Sequence, residues 1–353
     1  MDYAIDRSGP VLVTGATGFV AGWIIRRLLE EGVTVHATVR DPGNAGRLRH
    51  LNALPRAHGA ELRFFGADLL GNGSFAEAMA GCGVVFHTAS PFTSTVKDPE
   101  RELIEPALLG TRNVLNQARK TDSVRRVVLT SSCAAIYTDA ADCADAPGGI
   151  LTEAIWNATA SLEHQPYSLS KTLAEAEAWK LAEGAHFRLV ALNPCLIMGP
   201  AIGGRPTSES FSIMERVGKG DFRFGAPRLG LGFVDVRDVA EAHLAAAFLP
   251  DAEGRNIVAA HDADLLSALM TLQPKYGRAF RLPTRAAPKF LLWLLAPRLG
   301  LTRKFVSRNV DVPWRADNGK GRRELGLTYR PLQDTMQDMF QYMIDQGYFQ
   351  ARI

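Results

Sequence analysis

The sequence predicts an α/β fold, a doubly wound parallel sheet with a smaller, interleaved C-terminal lobe. Short β-branched runs alternate with helical patterns through the first half of the chain. A glycine-rich turn joins the first such run to the first helical pattern, and the alternation stops after Pro194.

The candidate strands are residues 11–13, 33–39, 62–65, 84–86, 127–129 and 189–192. Between the first two, Phe19, Val20, Trp23, Ile24, Leu28 and Leu29 recur near helical spacing, and Gly32 reads as the stop, which makes a βαβ unit. A second amphipathic helix runs from about Glu100 to Arg119. A third opens at Tyr167 and continues through Leu173, Ala174, Ala176, Ala178, Trp179 and Leu181. Glycine, proline and arginine become frequent between Met198 and Gly232, as in a loop-rich, ligand-covering region. Residues 233–240 and the alanine-rich helix after them read as a return to the first lobe. The expected division is therefore a nucleotide-binding domain over 9–193 with a return segment at about 233–250, and a substrate lobe over 194–232 and 251–350.

The 353 residues and 38.4 kDa allow one large core or two smaller ones, and ordinary apolar and charged fractions indicate a globular protein. A net charge of +3, with arginines scattered rather than striped, argues against a nucleic-acid partner. Cys82, Cys133, Cys143 and Cys195 lack both CxxC and Cys/His ligand spacing, so neither zinc nor a disulfide framework is expected, and a reduced, cytoplasmic setting is. The first ten residues lack the basic-then-apolar order of a secretory signal. The apolar run 290–296 is far short of the ~20 residues of a membrane helix and is closed by Pro297. It reads as a buried or pocket-lining helix, the alternative being a membrane-surface contact, and no membrane insertion is expected.

Thr14-Gly15-Ala16-Thr17-Gly18-Phe19-Val20-Ala21 follows the first strand and opens the first helix, the context a dinucleotide fingerprint requires. Gly15 permits the tight turn, Gly18 lets backbone amides approach a pyrophosphate, and Ala21 packs helix on strand, a Rossmann-type arrangement. At the end of the second strand, Arg40, with Arg47 one or two turns on, favours the 2′-phosphate of NADP, because guanidinium groups make charge-assisted bonds to phosphate. Asp41-Pro42-Gly43 reads as a turn. Asp68, beside Leu69 at the end of the third strand, stands where an adenine would lie, or caps the helix after it.

Tyr167-Ser168-Leu169-Ser170-Lys171 puts a phenol and an ammonium one helical turn apart, roughly 5–6 Å between Cβ atoms. The Lys171 charge then favours the phenolate left when Tyr167 yields its proton. Ser132 lies just past the fifth strand, at the carboxyl edge where ligands of open α/β sheets bind. Ser132 and Tyr167 make two donors for a carbonyl that becomes an alkoxide. Ser131 is equally a strand-end hydrogen-bonder. His87 and His164 have no ligand partners at metal spacing, and Cys133 is a packing residue rather than a nucleophile.

These motifs, with Val85-Phe86-His87-Thr88-Ala89-Ser90-Pro91, Asn193-Pro194 and Gly199-Pro200, resemble the extended short-chain dehydrogenase/reductases. Within them the chain is similar to the dihydroflavonol reductase, cinnamoyl-CoA reductase and aldehyde reductase group. The resemblance implies Ser132, Tyr167 and Lys171 as catalytic residues. It also implies that Thr88 and Ala89 line the nicotinamide ribose, that Ser90 beside them belongs to the cofactor site, and that residues 194–197, including Pro194 and Ile197, pass beside the nicotinamide. Tyr137 stands five residues after Ser132, where plant dihydroflavonol reductases carry a small polar residue, which disfavours a flavonoid. The Asn-Trp-Tyr-Cys-Tyr pattern of cinnamoyl-CoA reductases is missing around Tyr167, which disfavours a CoA thioester. The expected activity is NADPH-dependent reduction of a small aldehyde or ketone, possible in both directions, by a monomer or homodimer, with Tyr137 facing the substrate. An NAD-dependent nucleotide-sugar epimerase or dehydratase, a steroid dehydrogenase and a non-catalytic cofactor sensor are the rival readings.

Overall fold

The structure, a computed structural model, describes residues 3–90 and 96–351; Pro91, in the motif that starts at Val85, lies outside them. Its first half runs β1 (Val11–Val13), α1 (Phe19–Glu30), β2 (Val35–Val39), α2 (Ala45–Asn52), β3 (Leu62–Gly66), α3 (Ala76–Met79), β4 (Val84–His87), α4 (Glu105–Arg119), β5 (Arg126–Thr130), α5 (Pro166–Ala182) and β6 (Arg188–Pro194). The second half runs β7 (Leu196–Met198), α6 (Glu209–Lys219), β8 (Gly230–Asp235), α7 (Val236–Phe248), β9 (Gly254–Val258), β10 (His261–Asp264), α8 (Leu265–Met270) and α9 (Gln273–Tyr276). It ends with α10 (Lys289–Leu295), α11 (Arg303–Asn309), α12 (Gly319–Glu324) and α13 (Leu332–Asp345). A single π-helical turn, Glu100–Ile104, leads into α4.

Seven parallel strands in the order β3-β2-β1-β4-β5-β6-β9 form the main sheet. The order reverses between β1 and β4, the switch point at which open α/β sheets bind ligands. Strands buried on both faces need continuous apolar runs, and Val11, Leu12 and Val13 supply one. On one face α1 and α7 pack into a common core, where Ile24, Ile25, Leu28 and Leu29 are wholly buried. Each such side chain contributes about 1.5–3 kcal/mol relative to exposure. On the other face, α3, α4 and α5 cover Leu12, Val85 and Val127. A second core joins α6, α8 and α13 around Phe211, Met214 and Phe340, beside a small sheet of order β10-β8-β7.

The lobe boundaries and one helix differ from expectation. The substrate lobe was expected to resume at residue 251, yet Gly254–Val258 pair in parallel with β6 as the seventh strand of the main sheet. The return segment starts later than residue 233, because β8 pairs with β7 and β10, and α7 is the part packed on the main sheet. The helix over 290–296 is not buried: α10 has no buried residue, and only Ala296 after it is covered. The small cluster of Ala296, Val306 and Val310 engages its Leu292 side, Arg303 of α11 lies over the Trp293 ring, and among the described residues Phe290 and Leu294 stay open.

Candidate active site

The carboxyl ends of β1 and β4 meet at the switch point, with that of β5 alongside, and side-chain bonds knit the first two. Thr14 Oγ1 accepts from the amides of Thr88 (3.1 Å) and Ala89 (3.0 Å), while Thr88 Oγ1 donates to the Thr14 carbonyl at 2.5 Å. With both lone pairs taken, the Thr14 hydroxyl has its proton left for His87 Nδ1, 3.1 Å away. Gly15 lies above this crossing with φ +67°, and a Cβ there would come 3.1 Å from Ala89, so only glycine lets the loop sit so close. Gly18 directly precedes the twelve-residue α1, and with Thr17 it is exposed, leaving an open helix N-terminus beside the loop. Phe19 and Val20 are half-buried in the first turn, Phe19 edge-on to Phe211 at 5.2 Å.

Arg40 ends up exposed just past β2 and Arg47 exposed in the first turn of α2; neither is ion-paired among the described residues. Asp41 Oδ1 accepts from the Gly43 amide at 3.0 Å, closing the Asp41-Pro42-Gly43 turn away from the loop. Asp68 is exposed after β3, with Oδ1 accepting from the Leu70 amide at 3.0 Å and its other oxygen open. Leu69 packs against Gly110 of α4, and its carbonyl accepts from Asn113 Nδ2 at 2.9 Å. A cradle that admits only glycine, an unobstructed helix N-terminus and two unpaired guanidinium groups are the donor set a dinucleotide phosphate requires.

Pro166 at the first position of α5 pre-sets the helical backbone, which brings Tyr167 to its exposed start and Lys171 one turn on. Lys171 Nζ donates to Ser90 Oγ at 3.0 Å and lies 5.8 Å from the Tyr167 ring centroid. Ser132 caps the 3₁₀ turn Cys133–Ala135, accepting from the Ala134 amide at 3.1 Å, which leaves its hydroxyl proton free. That turn packs directly on α5. Ser131 points the other way and is buried, donating to Glu175 at 2.5 Å. Pro194 closes β6, and Ile197, half-buried, sits in β7 opposite Val234. Tyr137 packs on Trp314 at 5.6 Å amid Cys133 and Cys195, and burial pushes its phenol well above the usual range.

Reading the sequence missed Glu175, two turns beyond Tyr167 and one beyond Lys171. A carboxylate one turn beyond Lys171, on the helix face shared with Tyr167, was the available signal. A small cavity of about 20 Å³, room for one water, is bordered by Lys171, His87, Thr130, Ser131 and Glu175 together with apolar Ala107 and Leu129. A much larger open cavity of about 800 Å³ lies at the opposite edge of the sheet, by Arg188 and Gly254, and no member of the Ser132, Tyr167 and Lys171 set borders it. Although Glu183, Arg188, Asp251 and Glu253 line that groove, it lies where β6 and β9 begin, away from the carboxyl edge at which open α/β sheets bind ligands.

Burial, with Lys171 nearby, pushes the His87 imidazole down to about 3, and burial takes His243 to about 4. In the unfolded chain both titrate near 6.5, so below that pH the unfolded state binds more protons than the native state. The stability these neutral rings contribute is complete above about 6.5 and is lost as pH falls toward the folded values, at about 2 kcal/mol per ring by pH 5. Urea unfolding at pH 7.5 and at pH 5 measures the loss, and His87→Asn should shrink it by about 2 kcal/mol. An unchanged difference in that variant would show that His87 protonates freely.

Comparison with known proteins yields a consistent set. Residues 11–260 match the model of the NAD dependent epimerase/dehydratase family. A cinnamoyl-CoA reductase of Medicago truncatula is 36% identical over 332 residues, covering 93% of each chain. A tetraketide alpha-pyrone reductase of Arabidopsis thaliana is 35% identical over 343 residues, covering 96% of this chain and 97% of the relative. Among solved structures, a yeast methylglyoxal/isovaleraldehyde reductase complexed with NADPH superposes with a TM-score of 0.73 at 26% identity, covering 96% of this chain and 100% of the other.

Proposed function

Because this chain belongs to the NAD dependent epimerase/dehydratase family, we propose that it is an NADPH-dependent reductase of an aldehyde or ketone, working through Ser132, Tyr167 and Lys171. The observation that carries the reading is the placement of the Lys171 ammonium between Ser90 and the Tyr167 ring, beside the glycine loop.

Gly15, Thr17 and Gly18 would hold the pyrophosphate against the start of α1, with Phe19 and Val20 lending backbone amides. Arg40 and Arg47 would take the 2′-phosphate, and Asp68 and Leu69 would flank the adenine. Thr88, Ala89, Ser90, Pro194 and Ile197 would line the nicotinamide end. When bound, the cofactor supplies hydride to the carbonyl carbon. Ser132 orients the carbonyl oxygen with its free proton, and Tyr167 donates the proton that neutralises the growing alkoxide. Lys171 favours the phenolate so formed by its charge, and its bond to Ser90 fixes the ammonium in place. Tyr137, its hydroxyl desolvated, offers the substrate an aromatic wall rather than a polar grip.

A panel of aldehydes and ketones assayed for NADPH and NADH oxidation tests the reading. In the same assay Arg40→Ala should weaken NADPH by roughly 1.5–3 kcal/mol and NADH far less. Equal losses would remove Arg40 from the phosphate site. Stoichiometric NAD in the purified protein, with no carbonyl-dependent oxidation of NADPH, would replace the reductase with an epimerase.

A further inference from the structure

The strongest unassigned feature lies on the outer side of the second lobe. Phe290 is 70% exposed, Leu294 58% and Trp293 41%, an apolar concentration that, among the described residues, is flanked by Arg303 of α11 and left open at Phe290 and Leu294. Phe224, 69% exposed, lies against the segment just ahead of α10, where Arg285 Nε donates to its carbonyl at 3.0 Å. The helix is held firmly from below: Lys289 Nζ donates to the carbonyls of Ser307 (3.1 Å) and Val310 (2.6 Å), and Ala296 sinks into the cluster with Val306. The apolar face is thus presented ready-made.

Its surround is cationic. Residues 265–310 contain nine of the chain's 40 Lys and Arg and none of its 37 Asp and Glu, so the remainder of the protein is net negative. Arg303 lies 4.4 Å over the Trp293 ring and Arg223 4.4 Å over the Phe224 ring. Arg298 and Lys304 are exposed beside them, and among the described residues none of these four pairs with a carboxylate.

Neighbouring large apolar side chains left this exposed mark an interaction surface, and the charge around them identifies the partner. Self-association about a two-fold axis would set the patch against its own copy, bringing cations onto cations with no carboxylate to meet them. A bilayer with anionic headgroups meets both features: acyl chains receive Phe290, Leu294 and Trp293 at interfacial depth, and phosphates receive the arginines and lysine. No helix of the described residues is long and apolar enough to cross a membrane, so the contact is with the surface. We infer that α10 and its basic surround dock this protein on anionic phospholipid membranes, an inference independent of the reductase reading.

The test is co-sedimentation of the full chain with phosphatidylcholine vesicles, with and without a fraction of phosphatidylglycerol. Partitioning should be roughly tenfold stronger with phosphatidylglycerol and should weaken as salt is raised. F290S/L294S and, separately, R298E/K304E should each reduce binding by about tenfold, with activity on a water-soluble substrate unchanged. Wild-type protein that stays in the supernatant with the anionic vesicles at low salt, or binds both vesicles equally, overturns the inference. So does a dimer in light scattering that F290S/L294S dissociates, since a second copy would then cover the face.

Discussion

Tyr167→Phe is expected to lower turnover by about 10²–10⁴-fold while the affinity for NADPH stays within about threefold. The substitution is clean on structural grounds. Tyr167 is 38% exposed at the start of α5, and its hydroxyl makes no hydrogen bond among the described residues, so removing the oxygen breaks no native contact. A phenylalanine ring also keeps the face over which the Lys171 ammonium lies at 5.8 Å. What disappears is the proton donor. Unfolding free energy should stay within about 0.5 kcal/mol of wild type, as for surface changes away from special features. Turnover within about threefold of wild type, with the fold intact, would falsify the acid role and return the site to cofactor binding alone.

The elements that position Tyr167 are legible in the sequence because their signals are local. Three consecutive β-branched or leucine residues followed by Thr14-Gly15 predict β1 and its turn, and the helical spacing from Tyr167 through Leu181 predicts α5. What escaped is non-local. Residues 254–258 read Gly-Arg-Asn-Ile-Val, too polar to announce a sheet strand; they become one because α7 crosses over the sheet and delivers them to the open edge of β6. Arg255 is buried there because it meets Glu175, far away in sequence, while Asn256 donates its Nδ2 to the Glu253 carbonyl at 3.0 Å and leaves its buried Oδ1 without a partner among the described residues. The apolar run at α10 misleads for the opposite reason, since composition reports hydrophobicity and not whether another element covers it.

Glu175→Ala is the substitution expected to cost most in stability, about 3–5 kcal/mol. The carboxylate is fully buried and receives five donors: Arg255 Nε (2.6 Å) and Trp179 Nε1 (3.2 Å) on one oxygen, and Ser131 Oγ (2.5 Å), Asn193 Nδ2 (2.7 Å) and a second Arg255 nitrogen (3.4 Å) on the other. Removing it leaves the Arg255 guanidinium, itself 7% exposed, with backbone carbonyls and the Trp156 ring as its remaining neighbours. A buried cation without its counter-charge is far more costly than an unmade neutral hydrogen bond. Arg255→Met should cost a similar amount by stranding the carboxylate, yet E175A/R255M should cost clearly less than the two losses combined, because neither charge is then left alone. Urea unfolding of the four proteins gives the coupling, expected at about 2 kcal/mol or more. The change should also reach the site, because Asn193 Nδ2 bridges Glu175 to the Ser132 carbonyl at 3.1 Å, so freeing Asn193 loosens the turn that aims the Ser132 hydroxyl. Additive losses, or a single-variant cost below about 1 kcal/mol, would mean that water already satisfies Arg255 and that β9 is held by its strand pairing alone.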